Sequence, residues 1–174
     1  MTAILVKAVG EADALLERIR AAAKMTQDWI AGQSGDPLDM LGRMKFDQVG
    51  FHPVDHRPLN MIEQINQTFS FAVAATAAKK LLGMHPEAGG FWLAPGAHMS
   101  RELDIMSEVP GMVGAETFAA VDPNNNRKLS KDLEKLSTRP EVYRYVFFCS
   151  PLYPGTVQRP GLERRGVEVW LLDL

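Results

Sequence analysis

The chain has 174 residues, of which 46% are hydrophobic and 23% are charged, so its length and composition are those of one globular domain and not of a disordered chain. Its 19 lysine and arginine residues against 21 acidic residues give a formal net charge of -2, which excludes a positive field over the whole molecule. A single cysteine excludes an internal disulfide and, with four scattered histidines, gives no zinc framework. We expect a cytoplasmic protein with no membrane segment, since no apolar stretch is long enough to span a bilayer and the start of the chain lacks a signal-peptide pattern.

The first part of the chain contains two helical patterns separated by an aperiodic segment. Apolar residues recur at helical spacing over residues 11–29, which predicts an amphipathic helix. Residues 32–58 are rich in Gly, Pro and Asp without a sustained period, and we expect a long irregular connection there. Asn60, with Glu63 three residues later, forms a capping-box-like start, and the Ala-rich run that follows predicts a largely buried helix over residues 60–82.

The second half of the chain changes to the alternation of apolar and polar residues that is typical of strands. A hairpin at residues 109–112 joins two of the predicted strands, so that three strands form an antiparallel meander. A helix capped by one of the asparagines 124–126 follows, with leucines on one side and lysines on the other. The predicted strands cover residues 91–94, 102–107, 112–121, 143–149 and 167–172. The order α, α, β, β, β, α, β, β predicts an α+β fold with a mixed β-sheet in a single domain over residues 1–174.

Several common functional motifs are excluded. Asp122, Asn124 and Asn126 match the first three ligand positions of an EF-hand. That match ends at Arg127, where the loop needs glycine, and at Leu133, where it needs a bidentate glutamate. The sequences GxSxG, GxxxxGK and GxGxxG do not occur, which excludes the usual nucleophile-elbow, P-loop and dinucleotide-binding classes.

Two acidic residues lie within apolar strand patterns. In the segment ELDIMS, alternation places Leu103 and Ile105 on one face of the strand and Asp104 on the other. Glu116 occupies the next predicted strand and shares its face with Phe118. A carboxylate in an apolar sheet is costly unless it is paired or bound to a cation, so the two acids suggest a site for a hard metal ion. The alternative is that each acid lies at a solvated strand edge or pairs with an arginine, and the pattern alone does not decide between them.

The order of these segments resembles the core of the restriction-endonuclease-like PD-(D/E)XK superfamily. The resemblance is carried by the helix with Glu63, the ELDIMS strand, the hairpin, the VGAETFAAV strand, the lysine-bearing helix and the YRYVFFC strand. It covers residues 59–149 and leaves residues 1–58 and 150–174 outside the core. It implies a restriction-endonuclease-like fold, in which helices flank a mixed sheet with a central antiparallel hairpin.

The resemblance also implies a set of site residues. Carried over by position, Asp104 and Glu116 would bind Mg²⁺ or Mn²⁺, and Glu63 would be the helix carboxylate that often assists. The lysine of the family motif, two residues after the second acid, is replaced by Phe118.

The missing ammonium group has a candidate replacement on the following helix. Some members of the superfamily take their basic residue from that helix, and Lys128 or Lys131 would serve in this way. The alternative is that Lys128 and Asp132 form an ordinary surface ion pair at i,i+4 spacing, with Lys131 and Lys135 on a solvated face.

The resulting expectation is a magnesium-dependent nuclease that acts on DNA. Residues 123–165 carry nine Lys/Arg against four acids, a local basic excess that would make DNA binding sensitive to salt. A symmetric homodimer would suit cleavage of both strands. Two alternatives stay open: a catalytically inactive module of the same fold that binds nucleic acid or protein, because of Phe118, and an α+β interaction protein whose strand acids are structural.

Overall fold

In the computed structural model, which describes residues 3–96 and 101–174, the chain forms a seven-stranded mixed sheet, a separate two-stranded sheet and four α-helices. The helices are α1 (Val9–Ala31), α2 (Pro37–Phe46), α3 (Met61–Met84) and α4 (Lys128–Ser137). The strands are β1 (Ile4–Val6), β2 (Gly50–Phe51), β3 (Pro58–Leu59), β4 (Phe91–Leu93), β5 (Ile105–Ser107), β6 (Val113–Ala119), β7 (Tyr143–Cys149), β8 (Val157–Gln158) and β9 (Glu168–Leu171). Within these ranges, no helix combines the length and the hydropathy that crossing a bilayer requires.

The large sheet has the strand order β1-β4-β5-β6-β7-β9-β8. The meander β4-β5-β6 is antiparallel, whereas β6 and β7 run parallel, as do β7 and β9. Parallel neighbours need a crossover connection, and α4 provides the one between β6 and β7. The predicted α+β class, the mixed sheet and the central hairpin are therefore confirmed.

Helices cover both faces of this sheet. On one face, α1 and α3 pack against alternate residues of the central strands, including Ile105, Ala115 and Phe147. On the other face, α4 packs through its leucines against the intervening residues, such as Phe118 and Phe148. Because side chains alternate along a strand, β6 and β7 contribute to both layers of the core.

The predicted start of α3 is confirmed. Asn60 Oδ1 accepts a hydrogen bond from the backbone N–H of Glu63 at 2.9 Å, which satisfies one of the free donors of the first turn. The helix buries most of its C-terminal half, from Phe71 to Leu81, but leaves one side of its first turns exposed. Burial is thus less extensive than predicted for the N-terminal half of this helix.

The irregular connection predicted over residues 32–58 is wrong, because the segment contains α2, β2 and β3. Asp36 caps α2 by accepting from the backbone N–H groups of Leu38 and Asp39 at 2.8 and 3.1 Å, and Pro37 occupies the first helical position. This local start signal outweighs the abundance of glycine and proline. Two further strands absent from the prediction, β1 and β8, are short edge strands that are defined by pairing with β4 and β9.

The predicted strand over residues 102–107 starts only at Ile105, because residues 101–104 bend away from strand geometry. As a result, Leu103 packs with Phe118 on the α4 side of the sheet instead of sharing the face of Ile105. Gly114 makes room for it, since a Cβ atom there would come within 2.6 Å of Leu103 Cδ1.

The predicted asparagine cap of α4 is also wrong. Residues 125–127 form a short 3₁₀ turn, and Arg127, with a φ of 58°, precedes the helix without a capping side-chain hydrogen bond.

Candidate functional site

A cavity of about 580 Å³ lies beside the C-terminal end of β6. The register pairs β6 with β7 as far as Ala119, whereas its recorded pairing with β5 ends at Ala115, opposite Ile105. Among the described residues, no strand pairs with the last residues of β6 on the side of β5, and α3 and α4 flank this edge. The cavity is lined by Ile65, Asn66, Phe69, Ser70, Gly96, Asp104, Glu116, Thr117, Phe118, Ala119 and Lys128.

Asp104 lies at the point where β5 begins. Its Oδ2 accepts hydrogen bonds from the backbone N–H of Thr117 at 2.8 Å and from the Thr117 hydroxyl at 3.1 Å. The carboxylate thus satisfies a donor of β6 where strand pairing has ended. Burial raises the pKa of Asp104, and the bonds from Thr117 and the charge of Lys128 oppose that rise.

Glu116 is only 5% exposed and faces two ammonium groups. Lys135 Nζ donates to Glu116 Oε1 at 2.7 Å, and Lys128 Nζ lies 3.9 Å from Oε2. Burial raises the pKa of Glu116 from 4.5 to about 7, and the negative charge of nearby Asp104 adds to that rise. Two neighbouring carboxylates therefore compete to be ionised in one buried site.

Asp132 adds a third buried carboxylate on the side of α4. Lys128 Nζ donates to Asp132 Oδ1 at 2.6 Å and also lies 5.8 Å from the ring centre of Phe118. Asp132 Oδ2 has no hydrogen-bond partner among the described residues. The alternative of an ordinary surface pair is therefore wrong for Asp132, whose burial raises its pKa.

Lys135 is a site residue that only the alternative interpretation of the sequence mentioned, and that interpretation placed it on a solvated face. Its contact with Glu116 was detectable in principle, because positions 128, 132 and 135 share one face of a helix. The pattern did not show that this face lies over the acidic end of β6.

Glu63 does not join the other predicted site residues. It lines an adjoining cavity of about 180 Å³, together with Arg57, Leu59, Asn66 and Gln67. Asn66 lines both cavities, so the two are neighbours along α3. Lys131 is exposed, and the ammonium groups nearest to Glu116 are those of Lys135 and Lys128.

The carboxylates of the cavity are the candidate ligands for a metal ion. Throughout residues 3–96 and 101–174, no group of three or more histidine, cysteine or acidic side chains is arranged to hold a metal ion. Mg²⁺ usually keeps several waters and binds through one or two carboxylates plus substrate phosphate. Asp104 and Glu116 line one cavity, and Asp104 Oδ1 and Glu116 Oε2 are the oxygens that neither Thr117 nor Lys135 bonds.

The α3 side of the cavity is apolar and partly exposed. Ile65 and Phe69 are 47% and 46% exposed, and they lie one helical turn apart. Asn66 follows Ile65, Ser70 follows Phe69, and both add polar groups to the same wall. These residues were not predicted from the sequence, because apolar residues at helical spacing are more typical of a core.

Comparison of the chain with protein-family models gives no match. Comparisons with curated proteins and with solved structures also give none. The geometry of the cavity is therefore the basis on which a function is proposed.

Proposed function

We propose that the protein is a metal-dependent nuclease with a restriction-endonuclease-like core that hydrolyses phosphodiester bonds in DNA. The observation that carries the proposal is one cavity that combines two buried carboxylates, Asp104 and Glu116, with the ammonium group of Lys128. The order α3, β4, β5, β6, α4, β7, with a parallel pair across α4, supports the resemblance drawn from the sequence.

Asp104 and Glu116 are the residues that would hold Mg²⁺ or Mn²⁺. The ion, when bound, would neutralise charge on the phosphate and lower the pKa of an attacking water. The raised pKa values of both acids support this role, since a cation would relieve the mutual repulsion of two buried carboxylates.

The lysines of α4 would supply the ammonium that Phe118 cannot. Lys128 lines the cavity and would bind a non-bridging oxygen of the phosphate, where it stabilises the charge of the transition state. Asp132 holds Lys128 from one turn away and acts as its positioning residue. Lys135 neutralises Glu116. The reaction consumes one water and breaks one phosphorus–oxygen ester bond.

A second cavity supports DNA as the partner. About 380 Å³ in volume, it lies between α4 and the loop before β9. Its lining includes Arg164, Arg165, Ser130 and Ser137, against one acid, Glu134. Guanidinium and hydroxyl groups are typical phosphate contacts, and they would position the backbone without reading the sequence.

The proposal is tested by incubating single-stranded, double-stranded and branched DNA with the protein and Mg²⁺ or Mn²⁺. We expect cleavage that Asp104→Asn or Glu116→Gln abolishes, because each change removes charge but keeps shape. Glu108→Gln is the matched control, since Glu108 pairs with Lys7 outside the cavity and its loss should leave cleavage unchanged. Cleavage that survives both site variants would contradict the assignment.

A second candidate is a catalytically inactive module of the same fold that binds nucleic acid. It is favoured by the bond from Lys135 to Glu116, which places an ammonium where a metal ion would otherwise contact the carboxylate. This candidate predicts salt-sensitive DNA binding with no metal-dependent cleavage by the wild-type protein.

A further inference from the structure

We infer that the apolar wall of the cavity on α3 stacks an unpaired nucleobase, so that the preferred substrate is single-stranded DNA. This inference rests on the proposed function, because it takes the phosphate next to that base to be the one contacted by Lys128 and by the cation that the carboxylates would bind. Phe69 would be the residue that binds the base, and single-stranded DNA would be the substrate class.

Phe69 is an exposed aromatic residue on the α3 side of the cavity. Its ring is 46% exposed, yet it lines the same cavity as Asp104 and Glu116. Phe71, two residues further along α3, is only 1% exposed and belongs to the core. Two aromatic residues of the same helix therefore differ in surroundings, and the exposed one faces the candidate reaction site.

The apolar wall formed by Phe69 and Ile65 suits the base of a nucleotide better than its phosphate or sugar. Phosphates and sugars offer charge and hydroxyl groups, which an aromatic ring and the side chain of Ile65 do not satisfy. A nucleobase offers a π-face, and every base has one, so stacking gives affinity without sequence preference. The amide of Asn66 and the hydroxyl of Ser70 would contact polar atoms at the edge of the base.

A base that stacks on this wall must be unpaired. A base within a duplex already stacks on its neighbours, and bringing it into a pocket costs unpairing and unstacking. The cavity, at about 580 Å³, lies within the size range of small-ligand sites and so suits one nucleotide. A single strand meets these conditions without that cost, and one active site is sufficient to cut it.

The test compares the binding of three labelled DNAs by fluorescence anisotropy, in EDTA to prevent metal-dependent cleavage and again in Ca²⁺ to keep a cation at the carboxylates. The probes are a single strand, the duplex of the same sequence, and a single strand whose central nucleotides are abasic. We expect the wild-type protein to bind the intact single strand most tightly. Phe69→Ala should weaken that binding about tenfold, the loss of one base–aromatic stack, with little effect on the duplex or the abasic strand.

Two variants control for indirect effects. Phe69→Trp keeps an aromatic face and should retain the preference for the single strand. Ile62→Ala removes another exposed apolar side chain of α3, 54% exposed, that does not line the cavity, and it should bind all three probes as the wild type does.

The outcomes separate this inference from the proposed function. A preference for the single strand that depends on Phe69 supports the inference, even where no cleavage is seen and the nuclease proposal fails. The inference is overturned if duplex and single strand bind equally, or if Phe69→Ala has no effect. Cleavage that depends on Asp104 would in that case still support the proposed nuclease. Equal binding of the intact and abasic strands, or no DNA binding at all, also overturns the inference.

Discussion

Two buried glutamates near the central hairpin have opposite electrostatic surroundings. Glu141 packs against Gly114, two residues before Glu116 on β6. Both oxygens of Glu141 accept from the guanidinium of Arg139, at 2.8 and 3.1 Å, and this pairing lowers the pKa of Glu141. Glu116 instead has a pKa raised to about 7, although it too has a cationic neighbour in Lys135.

The difference shows what a fully paired acid and an incompletely paired acid are suited to do. A guanidinium fork satisfies a carboxylate with two parallel bonds and fixes its geometry. The ammonium of Lys135 satisfies one oxygen of Glu116, while the negative charge of Asp104 opposes its ionisation. Glu141 is thus a structural acid, and Glu116 has the unbalanced surroundings that occur more often at binding and catalytic sites.

The largest expected effect is on the structural acid. Glu141→Gln removes the buried one of the two acids that pair with Arg139, the other being the exposed Glu102. It should lower the free energy of unfolding by about 3 kcal/mol, the low end of the cost of breaking a buried ion pair, because Arg139 keeps Glu102. Urea denaturation measures this change. If Glu141→Gln unfolds at the wild-type urea concentration, the two glutamates do not differ in the way proposed here.

Glu116→Gln should behave in the opposite way, with an effect that depends on pH. Because the pKa of Glu116 is about 7 in the folded state and about 4.5 when unfolded, the folded state loses stability as pH rises through this range. The loss amounts to at most about 3 kcal/mol and is absent in the glutamine variant. Urea denaturation at pH 5 and pH 8, with metal chelated, should therefore show a flatter pH dependence for Glu116→Gln. Parallel pH profiles would mean that Glu116 ionises normally.

Magnesium should stabilise the wild-type protein if Glu116 and Asp104 bind it. A ligand at ten times its Kd stabilises the folded state by about 1.4 kcal/mol, which appears as a rise in the melting temperature. The rise should be larger at pH 8 than at pH 6, because Glu116 must lose its proton to bind the ion. Asp104→Asn should abolish the rise, and an undiminished rise in that variant would place the ion elsewhere.

Asp132→Asn tests whether Lys128 must be held in position. Without its charged partner, Lys128 should occupy the cavity less often in the required orientation, and the kcat of the proposed DNA cleavage should fall about fivefold, equivalent to roughly 1 kcal/mol. A positioning role requires that KM and the midpoint of urea unfolding change little, and that Asp132→Glu restores part of the activity. A fall in stability matching the fall in activity would instead indicate a structural role.

The smallest effect is expected for a surface pair with equally short geometry. Lys7 Nζ lies 2.6 Å from Glu108 Oε1, but the lysine side chain is 50% exposed. Lys7→Gln should change the free energy of unfolding by about 0.5 kcal/mol or less, because water and salt screen the pair. A cost near that of Glu141→Gln would show that distance, and not burial, determines the contribution of these ion pairs.

Local signals account for much of what the sequence predicted correctly. The capping group Asn60, the hairpin at 109–112 and the apolar run of β7 each depend on neighbouring residues, and each is confirmed. The edge strands β1 and β8 have three and two residues, too few to produce a period, and they exist through their partners. The equally short β4 and β5 were predicted because they lie within longer strand-like patterns, residues 91–94 and 102–107.

The candidate site was predictable only in part. Residue alternation suggested that Asp104 and Glu116 lie near each other, and both line one cavity. The bend before Ile105 could not be predicted, so the way in which Asp104 bonds to Thr117 was not foreseen. Glu63 was assigned by resemblance, and the structure places it in the adjoining cavity.

The sequence by itself determined the α+β class, the central hairpin and two acids of the cavity, one just before β5 and one in β6, because these follow from short-range periodicity and turn chemistry. Tertiary structure alone decided that Lys135 reaches Glu116, that Asp132 is buried, and that Phe69 faces the cavity while Phe71 enters the core. Those contacts join α3, α4 and β6, which are separated in the chain. Their physical basis is the packing of two helices on opposite faces of one sheet, and no local pattern encodes that both helices flank the same end of β6.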